Sequence, residues 1–178
     1  MAGRAVPFHL RVLEAETELC RRVARAQERP LGLGFFRVVS RLGEGALWYA
    51  LAVALPFALG ERAFPTVARM AAVGVLCTLV AQALKRVTGR PRPCHAHPEI
   101  AAGAAPLDRW SFPSGHTLHA VAFTAVVATD LPGLALLLVP FTLAVAASRV
   151  VLGLHYPTDV AAGALVGGAL AASVLTLL

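Results

Sequence analysis

Hydrophobic positions in this chain form long runs, separated by short clusters of charge, proline and glycine. Uncharged or nearly uncharged runs cover 45–60, 63–84, 117–147 and 160–178. The third is interrupted by Asp-Leu-Pro-Gly at 130–133, which predicts a helical hairpin of two spans. Apolar stretches of this length are typical of membrane-spanning helices. The pattern predicts an all-α, polytopic membrane helix bundle of about five spans, at 45–60, 66–84, 117–129, 133–147 and 159–178.

The segment 8–28 has a different pattern, because leucines and valines alternate with many arginines and glutamates. It is too charged to span a bilayer, and it predicts an amphipathic helix that lies at the interface or packs on the bundle. A solvated helical arm is the alternative. Pro30, Gly32 and Gly34 are expected to end this helix and to form a hinge to the membrane part.

Composition supports a membrane protein with a single domain over 1–178. Of its 178 residues, 57% are hydrophobic and only 15% charged, and the mean hydropathy is +0.69. The net charge of +6 could favour nucleic acid or anionic lipid. No nucleic-acid motif is visible, so membrane lipids are the expected partners and nucleic acid is not. In the last predicted span, Gly163, Gly167 and Ala171 form a stripe of small residues that permits close packing against a neighbouring helix.

Charged and polar residues cluster at three span ends. The basic segment 85–93 follows the second span and contains Lys85 and Arg92. A Pro-Ser-Gly-His sequence precedes the third span, where Ser114 suits an N-cap and Gly115 permits close backbone approach. The free N–H groups of that helix start, with the Ser114 hydroxyl, predict an anion site beside the proton donor His116.

The third cluster surrounds the start of the last span. Arg149 ends an apolar helix, where an idle charge is costly. Pro157 fits the first helical turn, so His155 precedes the helix and Asp159 lies within its first turn. Asp159 is expected to accept a hydrogen bond from one ring nitrogen of His155, which leaves the other free as a nucleophile. A purely structural hydrogen bond is the alternative.

Five spans place all three clusters on one side of the membrane, so their side chains can converge. Cations and backbone amides around a nucleophile and a proton donor are what phosphoryl transfer requires. The sequence resembles the type 2 phosphatidic acid phosphatases, whose site is shared with vanadium haloperoxidases. The family has a first motif in which six residues separate a lysine from Arg-Pro, and Lys85 with Arg92-Pro93 matches it. Its second motif, Pro-Ser-Gly-His, is matched by residues 113–116. Its Ser-Arg, five residues, His, three residues, Asp is matched by Ser148-Arg149, His155 and Asp159.

This resemblance implies a membrane lipid phosphate phosphohydrolase that needs no metal or other cofactor. His155 would form a phosphohistidine and Asp159 would orient it, while His116 would protonate the leaving group and then activate water. The substrate's phosphate would be held by a set of five residues: Lys85, Arg92, Ser114, Gly115 and Arg149.

Several questions stay open at the level of sequence. Expected substrates are a phospholipid or an isoprenyl phosphate or diphosphate, such as an undecaprenyl carrier. The alternatives are a lipid phosphotransferase that uses the same phosphohistidine, and an inactive relative that binds lipid or acts as a membrane scaffold. Cys94, His95 and His97 lie in one loop without a convincing partner set, so no metal site is expected there. The expected location is the bacterial inner membrane; the side that the site faces, and the oligomeric state, are not indicated.

Overall fold

The computed structural model of the chain describes residues 8–178, with side chains from residue 11 onward. Within that range every regular element is helical, and a single antiparallel bridge joins Pro91 to Trp110. Short 3₁₀ or π turns at 25–28, 42–46 and 60–63 connect the first four helices. The helices are α1 (Phe8–Ala24), α2 (Pro30–Arg41), α3 (Leu47–Leu59), α4 (Phe64–Thr88), α5 (Pro93–Ala96), α6 (Gly115–Asp130), α7 (Pro132–Val151) and α8 (Pro157–Leu177). The predicted all-α membrane bundle with an N-terminal helix is confirmed.

Among residues 8–178, three helical stretches are long and apolar enough to cross a membrane: the run from Pro30 to Thr88, then α7 and α8. The first run contains both α3 and α4, which are separated by a turn at Gly60 with φ 62°. Large apolar side chains such as Phe57, Leu136 and Leu165 lie exposed on these helices. Such a surface is stable only against lipid, so the chain is an integral membrane protein.

The core centres on α6, which packs against α4, α7 and α8. Its inward side chains are fully or almost fully buried, and Thr124 forms a hydrogen bond of 2.6 Å with Thr142 of α7. Polar side chains at this depth are tolerated because they bond to each other. The 16-residue α6 therefore runs through the middle of the bundle and carries its first residues, Gly115 and His116, to one end.

The predicted small-residue stripe of α8 is confirmed as a close contact with α6. A Cβ atom at Gly163 would lie 2.7 Å from the carbonyl oxygen of Ser114, and one at Gly167 would lie 2.3 Å from that of Leu118. Ala171 is buried on the same face. Since real Cβ atoms do not approach so closely, both glycines are required for this approach. The contact fixes the start of α6 beside the start of α8.

The predicted hinge at Pro30, Gly32 and Gly34 is wrong, because these residues open a regular helix. Pro30 occupies the first turn of α2, where its missing N–H has no helical partner to lose. α2 packs against α7 and buries Val39 and Ser40. Tertiary packing therefore outweighs the local helix-breaking tendency of the two glycines.

The N-terminal helix α1 packs on the bundle. The sequence predicted either this position or one at the membrane interface. Glu16, Thr17 and Cys20 of α1 are buried, and α1 contacts both α7 and α8. Its charged face carries exposed ion pairs such as Arg22 with Glu18. The contacts lie at the end of the bundle where α8 begins, so α1 lies at the same end as the clustered motifs.

Candidate active site

Six of the eight residues predicted for the site line one open cavity of about 730 Å³. They come from the end of α4, the following loop, the start of α6, the end of α7 and the turn between α7 and α8. The six residues are Lys85, Arg92, Gly115, His116, Arg149 and His155. Asp159 lies behind His155, and Ser114 lies beneath the helix start, outside the cavity lining.

His155 lies in the turn between α7 and α8 and is 1% exposed. Its backbone N–H donates to the carbonyl of Arg149, and Gly153, with φ 68°, permits the turn. Arg92 Nη1 lies 2.9 Å from Nε2 of the ring. A guanidinium can only donate, so Nε2 accepts and the proton of the neutral ring resides on Nδ1.

The charge state of His155 follows from its surroundings. Burial first, and then the positive charges of Arg149, Arg92 and Lys85, hold the pKa of His155 well below its ordinary value. The imidazole is therefore neutral at physiological pH, as a nucleophile must be.

Asp159 faces His155 as predicted, but the two do not form a hydrogen bond in this structure. Asp159 Oδ2 lies 3.6 Å from His155 Nδ1, and Nδ1 has no hydrogen-bond partner among the described residues. Oδ2 instead accepts from the backbone N–H of Tyr156 at 2.8 Å, and Oδ1 accepts from Arg90 at 2.7 Å. Both carboxylate oxygens are thus engaged, and a small shift of the His155 ring would close the remaining distance.

Arg92 is almost fully buried and donates in several directions. Nη1 also donates to the carbonyl of Leu154 at 3.0 Å. Nε donates to the backbone carbonyl of Asp108, and Nη2 to its carboxylate at 2.8 Å. The guanidinium is therefore fixed next to the reactive ring nitrogen, where it can meet a phosphoryl oxygen.

Asp108 is a residue that the sequence analysis missed. Its carboxylate pairs with Lys85 at 2.5 Å as well as with Arg92. Partial burial alone would raise the pKa of Asp108, but the hydrogen bond and charge of Lys85, with the charge of Arg92, outweigh burial and lower it. Asp108 stands six residues before Ser114 in an unremarkable loop, so no motif marked it. The cavity therefore contains an anionic side chain of its own, which is bound to two of the three cations, Lys85 and Arg92.

Replacing Asp108 with asparagine is expected to tighten the binding of orthovanadate, a phosphate analogue, by about tenfold, because it removes a negative charge next to the anion. Arg92 would keep its bonds to the backbone and to His155, so the cavity would stay formed. The inhibition constant of vanadate measures the effect. Weaker inhibition in Asp108→Asn would show that Asp108 assists anion binding instead of opposing it.

Arg149 lies in the last turn of α7 and is 3% exposed. Its Nη1 donates to the Ser40 hydroxyl of α2, while Nε is buried and has no partner among the described residues. An unpaired buried N–H is costly unless a ligand satisfies it. Arg149 therefore has a free donor in a cavity that is suited to an anion. Ser40 was also missed, because Pro30, Gly32 and Gly34 were interpreted as a hinge and no helix was predicted where α2 lies.

His116 and Gly115 occupy the first turn of α6 and line the cavity. Ser114 takes the predicted N-cap position, but its hydroxyl bonds to Thr117 Oγ1 at 3.0 Å and caps no backbone N–H. Its backbone N–H donates to the Asp159 carbonyl. The Ser114 hydroxyl was predicted to bind the anion, but in this structure it bonds to Thr117 and lies outside the cavity lining. The start of α6 faces the cavity through Gly115 instead.

The cavity places a neutral imidazole, a second histidine and three cations around one space. Such an arrangement can bind a phosphate dianion, attack its phosphorus and give a proton to the leaving oxygen. From the cations, the cavity continues between α3, α4 and α6 along apolar walls. These walls include Trp48, Ala52, Val67, Met70, Gly74 and Phe123.

Comparisons with known proteins agree with this chemistry. A family model described as the PAP2 superfamily matches residues 45–178. The decaprenylphosphoryl-5-phosphoribose phosphatase of Mycolicibacterium smegmatis is 42% identical over 142 residues, which cover 76% of this chain and 73% of that protein. The lipid A 1-phosphatase of Rhizobium etli is 37% identical over 98 residues, 53% of this chain and 42% of that protein.

A solved structure shows the same architecture. The crystal structure of Aquifex aeolicus LpxE matches with a TM-score of 0.77 and 27% sequence identity. The match covers 89% of this chain and 93% of that one. The similarity therefore extends over nearly the whole described bundle.

Proposed function

Since this chain belongs to the PAP2 superfamily and is a membrane lipid phosphatase, we propose that it hydrolyses its substrate through a phosphohistidine at His155, without a metal. The observation that carries the proposal is the buried, neutral His155, whose Nδ1 faces Asp159 at 3.6 Å and whose Nε2 faces the cation-lined cavity. We place the enzyme in the inner membrane of a bacterium.

In the first step, Nε2 of His155 forms a bond to phosphorus while the bond from phosphorus to the leaving oxygen breaks. His116 gives its proton to that oxygen, and the lipid alcohol departs. Asp159 stabilises the positive charge that develops on the His155 ring. Lys85, Arg92 and Arg149 neutralise the phosphoryl oxygens, a role that metal ions take in many phosphoryl-transfer enzymes.

In the second step, His116 removes a proton from water, and the water oxygen attacks phosphorus. The bond between Nε2 and phosphorus breaks, which releases inorganic phosphate and restores both histidines. Because Arg92 Nη1 donates to Nε2 at 2.9 Å in this structure, this N–H must turn to a phosphoryl oxygen before Nε2 can attack phosphorus.

The lipid part of the substrate is proposed to occupy the apolar extension of the cavity. This extension opens between α3 and α4, which face the bilayer, and Trp48 and Phe123 pack together within its wall. We propose a polyprenyl-linked phosphate as the substrate, supported by the decaprenyl-linked substrate in the name of the 42% identical relative. A glycerophospholipid phosphate is the competing substrate.

The direct test is phosphate release by the purified protein in detergent with EDTA, using farnesyl phosphate and dioctanoyl phosphatidic acid as probes. We expect release from both, with a higher kcat/KM for farnesyl phosphate. Loss of activity in EDTA that added Mg²⁺ restores would contradict the metal-independent reaction. Label from ³²P-substrate that moves to an added alcohol would instead identify a phosphotransferase.

Filling the apolar extension should separate lipid substrates from soluble ones. Ala71 lines the cavity on α4, and Ala68, one turn earlier, is exposed and lies outside it. We expect Ala71→Trp to lower kcat/KM for farnesyl phosphate about tenfold, because it removes space for the chain. Hydrolysis of p-nitrophenyl phosphate should change little.

Ala68→Trp is the matched control and should leave both substrates unaffected. Equal losses for lipid and soluble substrates in Ala71→Trp would show a general distortion and would remove the support for a chain-binding site there.

A further inference from the structure

The buried ion-pair network behind Asp159 includes a residue of α1, a helix that lies outside the matched family region 45–178. Glu16 of α1 is 7% exposed. Its Oε2 accepts a hydrogen bond of 2.6 Å from the Thr158 hydroxyl, and its Oε1 pairs with Arg90 Nη2. Burying a carboxylate to this extent is costly unless partners such as these replace its lost hydration.

Arg90 connects that carboxylate to the active site. Its Nη1 donates to Asp159 Oδ1 at 2.7 Å and to the Thr158 hydroxyl at 2.8 Å. The guanidinium also lies 4.0 Å from the ring centre of Tyr156. The guanidinium of Arg90 therefore has one carboxylate on each side and an aromatic ring against its face. Together these contacts fix its position and orientation.

Asp159 depends on this arrangement because it is fully buried. Oδ1 is held by Arg90, and Oδ2 by the N–H of Tyr156, so the carboxylate can turn neither way without losing a bond. This orientation directs Oδ2 toward His155 Nδ1. α1 also contacts the same turn through Cys20, whose thiol lies 3.8 Å from the His155 carbonyl oxygen.

We propose that Arg90 and Glu16 are positioning residues that hold the Asp159 carboxylate ionised and oriented toward His155. α1, which carries Glu16, therefore contributes to catalysis. The inference rests on the proposed function of His155 as the nucleophile. Arg90 keeps the buried carboxylate charged. Glu16 shares the charge of Arg90, so that Asp159 retains enough negative potential to stabilise the phosphorylated ring.

Arg90 has a role distinct from that of the phosphate-binding cations, since it is absent from the cavity lining. Its loss should therefore affect kcat more than KM. It should also move the acid side of the pH profile, because a carboxylate without its cation takes up a proton more readily. A residue that only supports the fold would not produce this combination.

The test compares Arg90→Gln, Arg90→Lys, Glu16→Gln and the double variant Glu16→Gln/Arg90→Gln with the wild type, using p-nitrophenyl phosphate. We expect Arg90→Gln to lower kcat about 100-fold with KM within about threefold, and to shift the acid limb of the kcat profile upward by about one pH unit. Glu16→Gln should lower kcat about tenfold, and the double variant should be no worse than Arg90→Gln alone, since both act through Asp159. Arg90→Lys should recover part of the loss.

Glu99→Gln is the matched control, because Glu99 also connects α1 to the loops, through an exposed ion pair with Arg21 at 2.7 Å. Its kcat should stay within about twofold of the wild-type value, because this exposed ion pair connects α1 to the loops without contacting Asp159. An Arg90→Gln variant with wild-type kcat and an unshifted pH profile would overturn the proposal. Losses that simply add in the double variant would overturn the shared action through Asp159.

A readout without turnover separates this proposal from the proposed function. In histidine-labelled protein, the Nδ1 proton of His155, assigned by its loss in His155→Ala, should move upfield in Arg90→Gln, because the carboxylate of Asp159 would no longer be held toward it. An unchanged resonance would overturn the positioning role even if the wild type proved active. If the wild type releases no phosphate, but the resonance still moves between the wild type and Arg90→Gln, the proposed function would be contradicted and the positioning role would remain supported.

Discussion

Replacing His155 with alanine should reduce phosphate release by about 10⁴-fold or more, because it removes the atom that attacks phosphorus. The remaining cavity would still bind substrate through Lys85, Arg92 and Arg149, so KM should change far less than kcat. Steady-state hydrolysis of farnesyl phosphate in detergent, with EDTA present, measures both. The loss should be the same for p-nitrophenyl phosphate, since the attack does not depend on the lipid chain.

The matched control for this variant is His95→Ala. His95 is exposed in α5, a few residues from Arg92, and takes no part in the cavity lining. It should retain wild-type turnover, which would exclude a general effect of removing a loop histidine. Comparable thermal unfolding of both variants would exclude misfolding. Substantial turnover in His155→Ala would remove the phosphohistidine mechanism.

Replacing Gly167 with valine should destabilise the bundle by about 3 kcal/mol or more, because overpacking at a close helix contact forces backbone shifts. A Cβ at this position would lie 2.3 Å from the Leu118 carbonyl oxygen, a backbone atom that cannot move alone. The contact also holds the start of α6 near Asp159, since the N–H of Ser114 donates to the Asp159 carbonyl at 3.0 Å. Activity should therefore fall together with thermal stability in detergent.

Gly168 supplies the control, because a Cβ there would meet only a Val121 methyl at 4.0 Å. Gly168→Ala should unfold near the wild-type temperature, while Gly167→Ala should already unfold lower. If the two alanine variants behaved alike, the close approach of α8 to α6 would be contradicted.

Much of the bundle could be predicted from sequence because the membrane imposes simple rules. Apolar runs must form helices in lipid, and the break at 130–133 had to be a turn. The stripe at Gly163 and Gly167 was informative for the same reason, since small residues permit close helix contacts. Once the spans are counted, Lys85, His116 and His155 must emerge at one end, as the structure shows.

The rest of the site depends on contacts between distant parts of the chain, which local pattern does not reveal. Asp108 meets Lys85 and Arg92 across a loop, and Ser40 meets Arg149 from α2. Glu16 lies 74 residues from Arg90 in sequence, within a helix whose other charged residues face outward. The Ser114 hydroxyl was expected to face the anion, but it forms a hydrogen bond with the hydroxyl of Thr117, one helical turn away. Each of these depends on side-chain positions, which the spacing of motifs leaves open.

The central claim is that His155 carries the phosphoryl group, and trapping that intermediate tests it most directly. p-Nitrophenolate leaves without needing a proton, so in a His116→Ala variant the first step should proceed while hydrolysis by water is slowed. Rapid alkaline quench of this variant with ³²P-labelled p-nitrophenyl phosphate should show an alkali-stable, acid-labile label on the protein. Its amount should approach one per active site and match the burst of p-nitrophenolate, and it should be absent in His116→Ala/His155→Ala. A burst without protein-bound label, or equal label in the variant that lacks His155, would contradict the account.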